Sequence, residues 1–431
     1  MMDKKWWIGS IIVVGCLIAA LLLATEKKEN IDDAQMMTEQ ITLPVLISGG
    51  DASWENCMKE VAAAYMEKHP EVKVEVVTTM NQEGTDYTQS LLIEEALGNF
   101  KGIVEMRNAE SFASEGKIAP LPKKITKLLK YTQTYEEETY TVSRFYTCRG
   151  IIYNKRVFEK LNLEVPKTYQ EFLRLCKKLK ANGISPLVVG AGDTWHLQHL
   201  IDGLFGNDVK QKFPDWIRQR NAGKVHWTDE EPVKMLTQMQ QLFQDGNVEE
   251  NYRTTTDAGT IEVLTQGRAA MLYSGTWMFS QIAKADPQFE IGWFFLPQDD
   301  GEPIVEYDGI WGWSLSAECV GQPKLYDTAI NFLEFYYSKD IYQKVLQNMN
   351  GISSLKEVRT YPAIPVQEDI MEQVQKKGIW QTEVLGLSDT PEGFMSNMYA
   401  NILNMIDGHH TARETAKILD KEWDEKLEEN Q

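Results

Sequence analysis

The side chains best equipped for chemistry are tryptophans standing beside carboxylates and glycines: Asp193-Thr194-Trp195, Gly275-Thr276-Trp277 and Tyr307-Asp308-Gly309-Ile310-Trp311-Gly312-Trp313. An indole face covers apolar C–H surface, and a carboxylate accepts hydrogen bonds from hydroxyls. Such neighbours suit a ligand that carries both kinds of surface. His196 and His199 share a helical face near Asp193. Two histidines and one acid could hold a metal, but hydrogen bonding on the helix surface or in a cleft is the simpler role and is the one expected. No GxSxG, P-loop or HExxH occurs, and Gly190-Ala191-Gly192 lacks the third glycine of a dinucleotide site. No cofactor, metal site or catalytic residue is expected.

The chain has 431 residues, 63 acidic against 44 basic, for a net charge of −19, and no Lys/Arg block that would hold nucleic acid. The acid excess serves solubility. Lys4 and Lys5 precede an uncharged stretch from Trp6 to Ala24, long enough to span a bilayer, and Glu26 to Glu29 restore polarity. Residues 1–25 therefore read as a signal or membrane anchor with everything downstream extracytoplasmic. Val13-Val14-Gly15-Cys16 offers Cys16 as a lipidation site, an uncleaved anchor is the alternative, and ordinary cleavage near Ala24 is the third. Residues 26–40, rich in Glu, Lys, Asp and Gln, read as a flexible spacer. Cys57, Cys148, Cys176 and Cys319 are widely spaced and read as small buried thiols.

About 400 residues remain, enough for two domains. Leu43, Val45 and Ile47 alternate as a strand that ends at Ser48-Gly49-Gly50. Trp54, Met58, Val61 and Tyr65 then form one helical stripe, closed by His69-Pro70, so Trp54 reads as core. Val72, Val74 and Val76 give a second strand, and Ile103-Val104-Glu105-Met106 a third, in an α/β lobe with a mainly parallel sheet. Asp51 sits at the first strand-to-helix turn, where open α/β sheets bind ligands and where a helix needs its N-cap; either role fits. Thr168-Tyr169-Gln170-Glu171 and Thr228-Asp229-Glu230-Glu231 read as capping boxes in a second, more helical lobe. Helices continue from about Tyr326 to the end, with Met395, Met398, Ile402 and Met405 as an apolar stripe.

The order of these pieces resembles the family 1 extracellular solute-binding proteins, the carbohydrate-binding components of ABC importers. The resemblance rests on Gly150 to Leu173 (GIIYNKRVFEKLNLEVPKTYQEFL) and on Phe243-Gln244-Asp245-Gly246 through Leu264-Thr265-Gln266-Gly267-Arg268-Ala269-Ala270-Met271 to Gly275-Thr276-Trp277. It implies a two-lobed α/β fold of the type II periplasmic-binding-protein kind, with three inter-lobe crossings and a ligand cleft between the lobes. The lobes would be 41–150 plus 314–352 and 151–313 plus 353–431. It also implies capture of a sugar or oligosaccharide by hinge closure and delivery to permease subunits by a monomer that is no enzyme. Trp195, Trp277, Trp311 and Trp313 would stack on the ligand, with Tyr307; Asp51, Asp193 and Asp308 would accept its hydroxyls. Core packing is the alternative for each tryptophan, and Trp311 and Trp313 face the cleft either both or singly. An acidic sugar would need a cleft arginine, for which Arg144 and Arg149 are placed. Two other functions share these features: a tethered glycoside hydrolase, and a binding protein that serves a sensor.

Overall fold

A computed structural model describes residues 40–79, 87–299, 306–308, 311–357, 364–377, 380–381, 385 and 389–429. The anchor with Cys16 and all of the spacer but Gln40 lie outside the described residues. Two sheets organise the chain. The first holds β1 (Ile41–Ile47), β2 (Val72–Thr78), β3 (Ile103–Met106), β4 (Ile118–Ala119), β5 (Thr132–Tyr135), β6 (Glu138–Ser143) and β12 (Gly312–Ser316), in the order β2-β1-β3-β12-β6-β5 with β4 on β12. The second holds β7 (Thr147–Asn154), β8 (Ser185–Val188), β9 (Ala269–Gly275), β10 (Ile291–Phe294), β11 (Glu306–Asp308) and β13 (Trp380–Gln381).

Alternation in β1 sends Leu43, Val45 and Ile47 to one buried cluster and Leu46 to another, so both faces of the first sheet are covered. The helix Ala52–Lys68 lays the stripe Trp54, Met58, Val61 and Tyr65 on the first of these clusters. β1 runs parallel to β2 and β3, but β3 pairs antiparallel with β12, and β12 with β6. The sheet is therefore mixed rather than mainly parallel, because β12 returns from the second lobe and enters it in the reverse direction. In the second lobe Ile151 and Ile152 likewise feed opposite clusters. Thr168 caps the helix Tyr169–Ala181 as expected. Thr228 does not cap Glu230–Gln244; Asp229 holds that position, and the Thr228 hydroxyl donates to Asp420 instead. Cys57, Cys148, Cys176 and Cys319 are buried free thiols.

The chain changes sheets between Ser143 and Thr147, between Asp308 and Gly312, and after Leu355, which still packs in the first lobe. Each switch lies a few residues from the boundaries expected at Gly150, Trp313 and Ile352, because β7 starts before Gly150 and Trp313 belongs to β12. Main-chain bonds stitch the crossings together: Tyr146 and Ile352 exchange bonds of 2.9 and 2.8 Å, and Arg144 N–H donates to Trp311 O at 3.0 Å. Behind them, Tyr337 Oη and Ser354 Oγ donate to Ser143 O at 2.8 and 2.9 Å, and Ser354 N–H donates to Tyr342 Oη at 3.1 Å. All four residues are nearly or fully buried. Tyr342→Phe leaves the Ser354 amide without its acceptor, so we expect a loss of about 1–3 kcal/mol. Thermal melting reads that loss, and faster hydrogen exchange at Ser354 localises it to the hinge.

Candidate functional site

Each lobe carries a group of aromatic and charged side chains, one wall of the candidate site. On the second lobe the wall is built around the start of the helix Thr194–Phe205. Gly190 N–H donates to His196 Nδ1 at 2.8 Å, and His196 Nε2 lies 3.0 Å from Tyr273 O. With Nδ1 accepting, Nε2 must carry the proton, so His196 is neutral; burial accordingly lowers its pKa to about 4. A Cβ at Gly190 would lie 2.4 Å from His196 Nδ1, and one at Gly192 2.9 Å from Thr255 O. The glycines of Gly190-Ala191-Gly192 thus serve close backbone approach.

Beside His196, Trp195 is exposed and His199 half-buried, while Leu197 and Gln198 are buried. Trp195 is 42% exposed, and its ring is 5.4 Å from His199. His199 in turn meets Trp277 at 5.3 Å. The Trp277 ring folds over Gly275, where a Cβ would fall 1.8 Å from it, so glycine is required for that pose. One turn below His199, Asp202 pairs with Arg149 at 3.2 Å, both buried. Asp193 precedes the helix without capping it; its Oδ2 instead accepts Asp257 N–H at 2.7 Å.

The first-lobe wall is organised by Glu105, fully buried at the end of β3. Its carboxylate accepts Ser48 N–H at 2.8 Å, Ser48 Oγ at 3.0 Å and Trp54 Nε1 at 3.0 Å, and pairs with Arg144. The Arg144 guanidinium lies 4.4 Å from the Trp54 ring and 5.3 Å from that of Trp311. Trp311, half-buried, also meets Tyr87 at 4.7 Å. Asp51 caps the helix Ala52–Lys68, accepting from Ser53 and Trp54 N–H.

Charges reach from wall to wall. Burial, then Asp193, then Asp51 of the opposite lobe raise Asp257 to about 7. Burial, Arg149, His196 and Arg107 of the opposite lobe hold His199 well below its usual range.

Of the residues singled out from sequence, Trp195, Trp277 and Asp193 belong to the second-lobe group of side chains and Trp311 and Asp51 to the first-lobe group. Trp313 belongs to neither: it is fully buried in the first-lobe core, stacked on Trp54 at 5.9 Å, so the expectation of a ligand contact there is corrected. Tyr307 and Asp308 lie in β11, paired with Cys148 and Thr147 of β7; their side chains are outside the described residues. Arg144 and Arg149 are already paired with Glu105 and Asp202. Glu105, Arg107, Tyr87 and Asp257 were not singled out. Glu105 alone left a signal, a lone acid in an otherwise apolar strand.

Residues 51–343 match the family described as bacterial extracellular solute-binding protein. The chain belongs to that family. Its members are binding proteins, and membership places the chain outside the cytoplasm. Among relatives, it is 26% identical to a multiple sugar-binding protein of Streptococcus mutans over 193 residues, 44% of this chain and 46% of that one. The chain thus spans about half the length of that relative. An ABC transporter extracellular-binding protein of Pyrococcus horikoshii is 23% identical over 311 residues, 67% of this chain and 70% of its own. A chitin oligosaccharide binding protein superposes with a TM-score of 0.76 at 19% identity, covering 90% of this chain and all of that one. The raffinose complex of the binding protein RafE gives 0.73 at 19% identity with the same coverage. These likenesses show the two-lobed fold.

The Asp257 carboxyl gives the fold a pH dependence of known sign. Its folded value, about 7, lies above the ordinary 3.8, so the folded state binds the extra proton between them. That contribution is complete below about pH 4 and lost as pH rises through 7. Asp257→Asn removes it. The melting temperature of the variant relative to wild type should be higher at pH 8 than at pH 4, by the equivalent of about 1–3 kcal/mol. Melting curves at the two pH values check this; an equal difference at both contradicts it.

Proposed function

We propose that the cleft captures a sugar or oligosaccharide by hinge closure and that the closed form delivers it to ABC permease subunits. The observation that carries this reading is the pairing of a Trp195, His199 and Trp277 wall on one lobe with a Trp311 and Tyr87 wall on the other. Between them stand Asp193, Asp257 and Asp51. Indole faces cover the C–H face of a pyranose, and carboxylates take its hydroxyls. The sugar-binding relative and the two oligosaccharide-binding neighbours support the same ligand class. The crossings, held together by main-chain bonds, act as the hinge about which the lobes close. The N-terminal segment tethers a monomer to the outer face of the membrane, through a lipid on Cys16 or as an uncleaved anchor.

A thermal-shift screen of the full chain in mild detergent, with raffinose, stachyose, xylotetraose and chitotetraose, tests this reading. A bound sugar at 100 times its dissociation constant adds about 2.7 kcal/mol of stability. Stabilisation without cleavage, followed by chromatography in the same samples, is expected; cleavage would make the protein a hydrolase. Two variants separate wall from core. Trp195→Ala should cost at least tenfold in sugar affinity, about 1.4 kcal/mol, with the unliganded melt little changed. Trp313→Ala should cost about 3–5 kcal/mol of stability whether or not sugar is present.

A further inference from the structure

Arg107 and Trp311 leave the first sheet side by side. Met106 of β3 pairs with Gly312 of β12, so Arg107 and Trp311 are the next residues beyond that antiparallel ladder, at the carboxyl end of the parallel strands β1 and β3. Open α/β sheets bind their ligands at that end of the strands. Trp311 also ties two of the crossings together, since it precedes β12 and its carbonyl accepts Arg144 N–H. The Arg107 guanidinium lies 5.9 Å from the centre of the Trp311 ring, a cation–π contact. That face orients the group without taking up any of its N–H donors.

Nothing else among the described residues holds it. Arg107 is half-buried, its Nε is buried without a hydrogen-bond partner, and it forms no ion pair with a described residue. Glu105, two residues back, is taken up by Arg144, Ser48 and Trp54. The remaining described arginines pair with carboxylates, apart from Arg413, which is exposed on the helix Ala412–Glu429. In a chain whose net charge is −19, a partly desolvated cation without a carboxylate of its own is a place kept for an anion from outside.

We propose that Arg107, oriented by the Trp311 face, determines the specificity of the cleft, and that the sugar it selects is acidic, with a carboxylate that accepts from the guanidinium; the inference rests on the carbohydrate reading above. A carboxylate is planar and matches the guanidinium fork, so it meets the charge and the donors together, whereas a hydroxyl brings no charge. The indole faces tolerate any pyranose, because they cover C–H surface that all pyranoses share. The cation separates a uronate from its neutral counterpart.

Calorimetric titration of the full chain in mild detergent tests this with trigalacturonate, the galactotriose of the same linkage as its neutral counterpart, raffinose and chitotetraose. The wild type should bind trigalacturonate at least about tenfold more tightly than galactotriose. Arg107→Gln should lose that preference, weakening trigalacturonate by about 10- to 100-fold and galactotriose by less than about threefold. Arg107→Lys should keep part of it, because the ammonium retains the charge without the fork. Raising salt from about 50 to about 500 mM should weaken the trigalacturonate complex of the wild type more than that of Arg107→Gln. A wild type that binds any of the neutral sugars as tightly as trigalacturonate overturns the acidic ligand and leaves the carbohydrate reading in place. An Arg107→Gln variant that keeps the preference, or that weakens acidic and neutral sugars alike, overturns the role of Arg107 and reduces it to a packing partner of Trp311. Failure of the wild type to bind any of the four overturns the carbohydrate reading, and this inference with it. If Arg107→Gln lowers the melting temperature, the ratio of the trigalacturonate and galactotriose affinities in Arg107→Lys carries the same test: it should fall below that of the wild type, and an unchanged ratio overturns the role of Arg107.

Discussion

Glu105 is the constraint on which the first lobe and its share of the cleft depend. A carboxylate with no exposed surface persists only when its acceptor sites are filled and a cation stands beside it. Here Ser48 supplies two donors from the end of β1, Trp54 one from the first turn of a helix, and Arg144 the charge from the first crossing. Three separate stretches of chain are thereby fixed at one point. Through Arg144 the constraint extends further, because that residue's amide donates to Trp311 O and its guanidinium faces the Trp311 ring. The aromatic wall of the first lobe is thus oriented by a buried charge that never meets solvent.

The second lobe solves the same problem with a neutral imidazole. His196 is held between Gly190 and Tyr273, and a glycine is needed at 190 to let it in. Trp195 beside it is exposed, and His199 three residues on is half-buried between the Trp195 and Trp277 rings. In both lobes a buried polar residue with its bonds made lies beside a less buried tryptophan, Glu105 near Trp311 through Arg144 and His196 next to Trp195.

The strands and the stripe of Ala52–Lys68 were legible in the sequence because each is a local pattern of alternation or helical spacing, whereas the change of lobe near Gly150 was implied only by the family resemblance. The walls were legible in part. Trp195 and Trp277 stand close to glycines at the starts of helices, which marks them as element-end positions rather than core ones. Trp311 and Trp313 could not be separated by spacing, since what divides them is where β12 begins. Gly312 must be glycine to pass Val142 O, where a Cβ would come within 2.2 Å, and Trp313 enters the core one residue later. Arg107, Tyr87 and Asp257 look ordinary in sequence. Asp257 feels the charge of Asp51 and His199 that of Arg107, each from the other lobe, and no local pattern encodes that influence.

The measurement that tests this account most directly is a crystal structure of the protein grown with the sugar that stabilises it most. The account predicts a sugar ring within about 4 Å of both Trp195 and Trp311, with the lobes closed on it and Trp313 untouched. A sugar bound on one lobe only, or outside the cleft altogether, would contradict it.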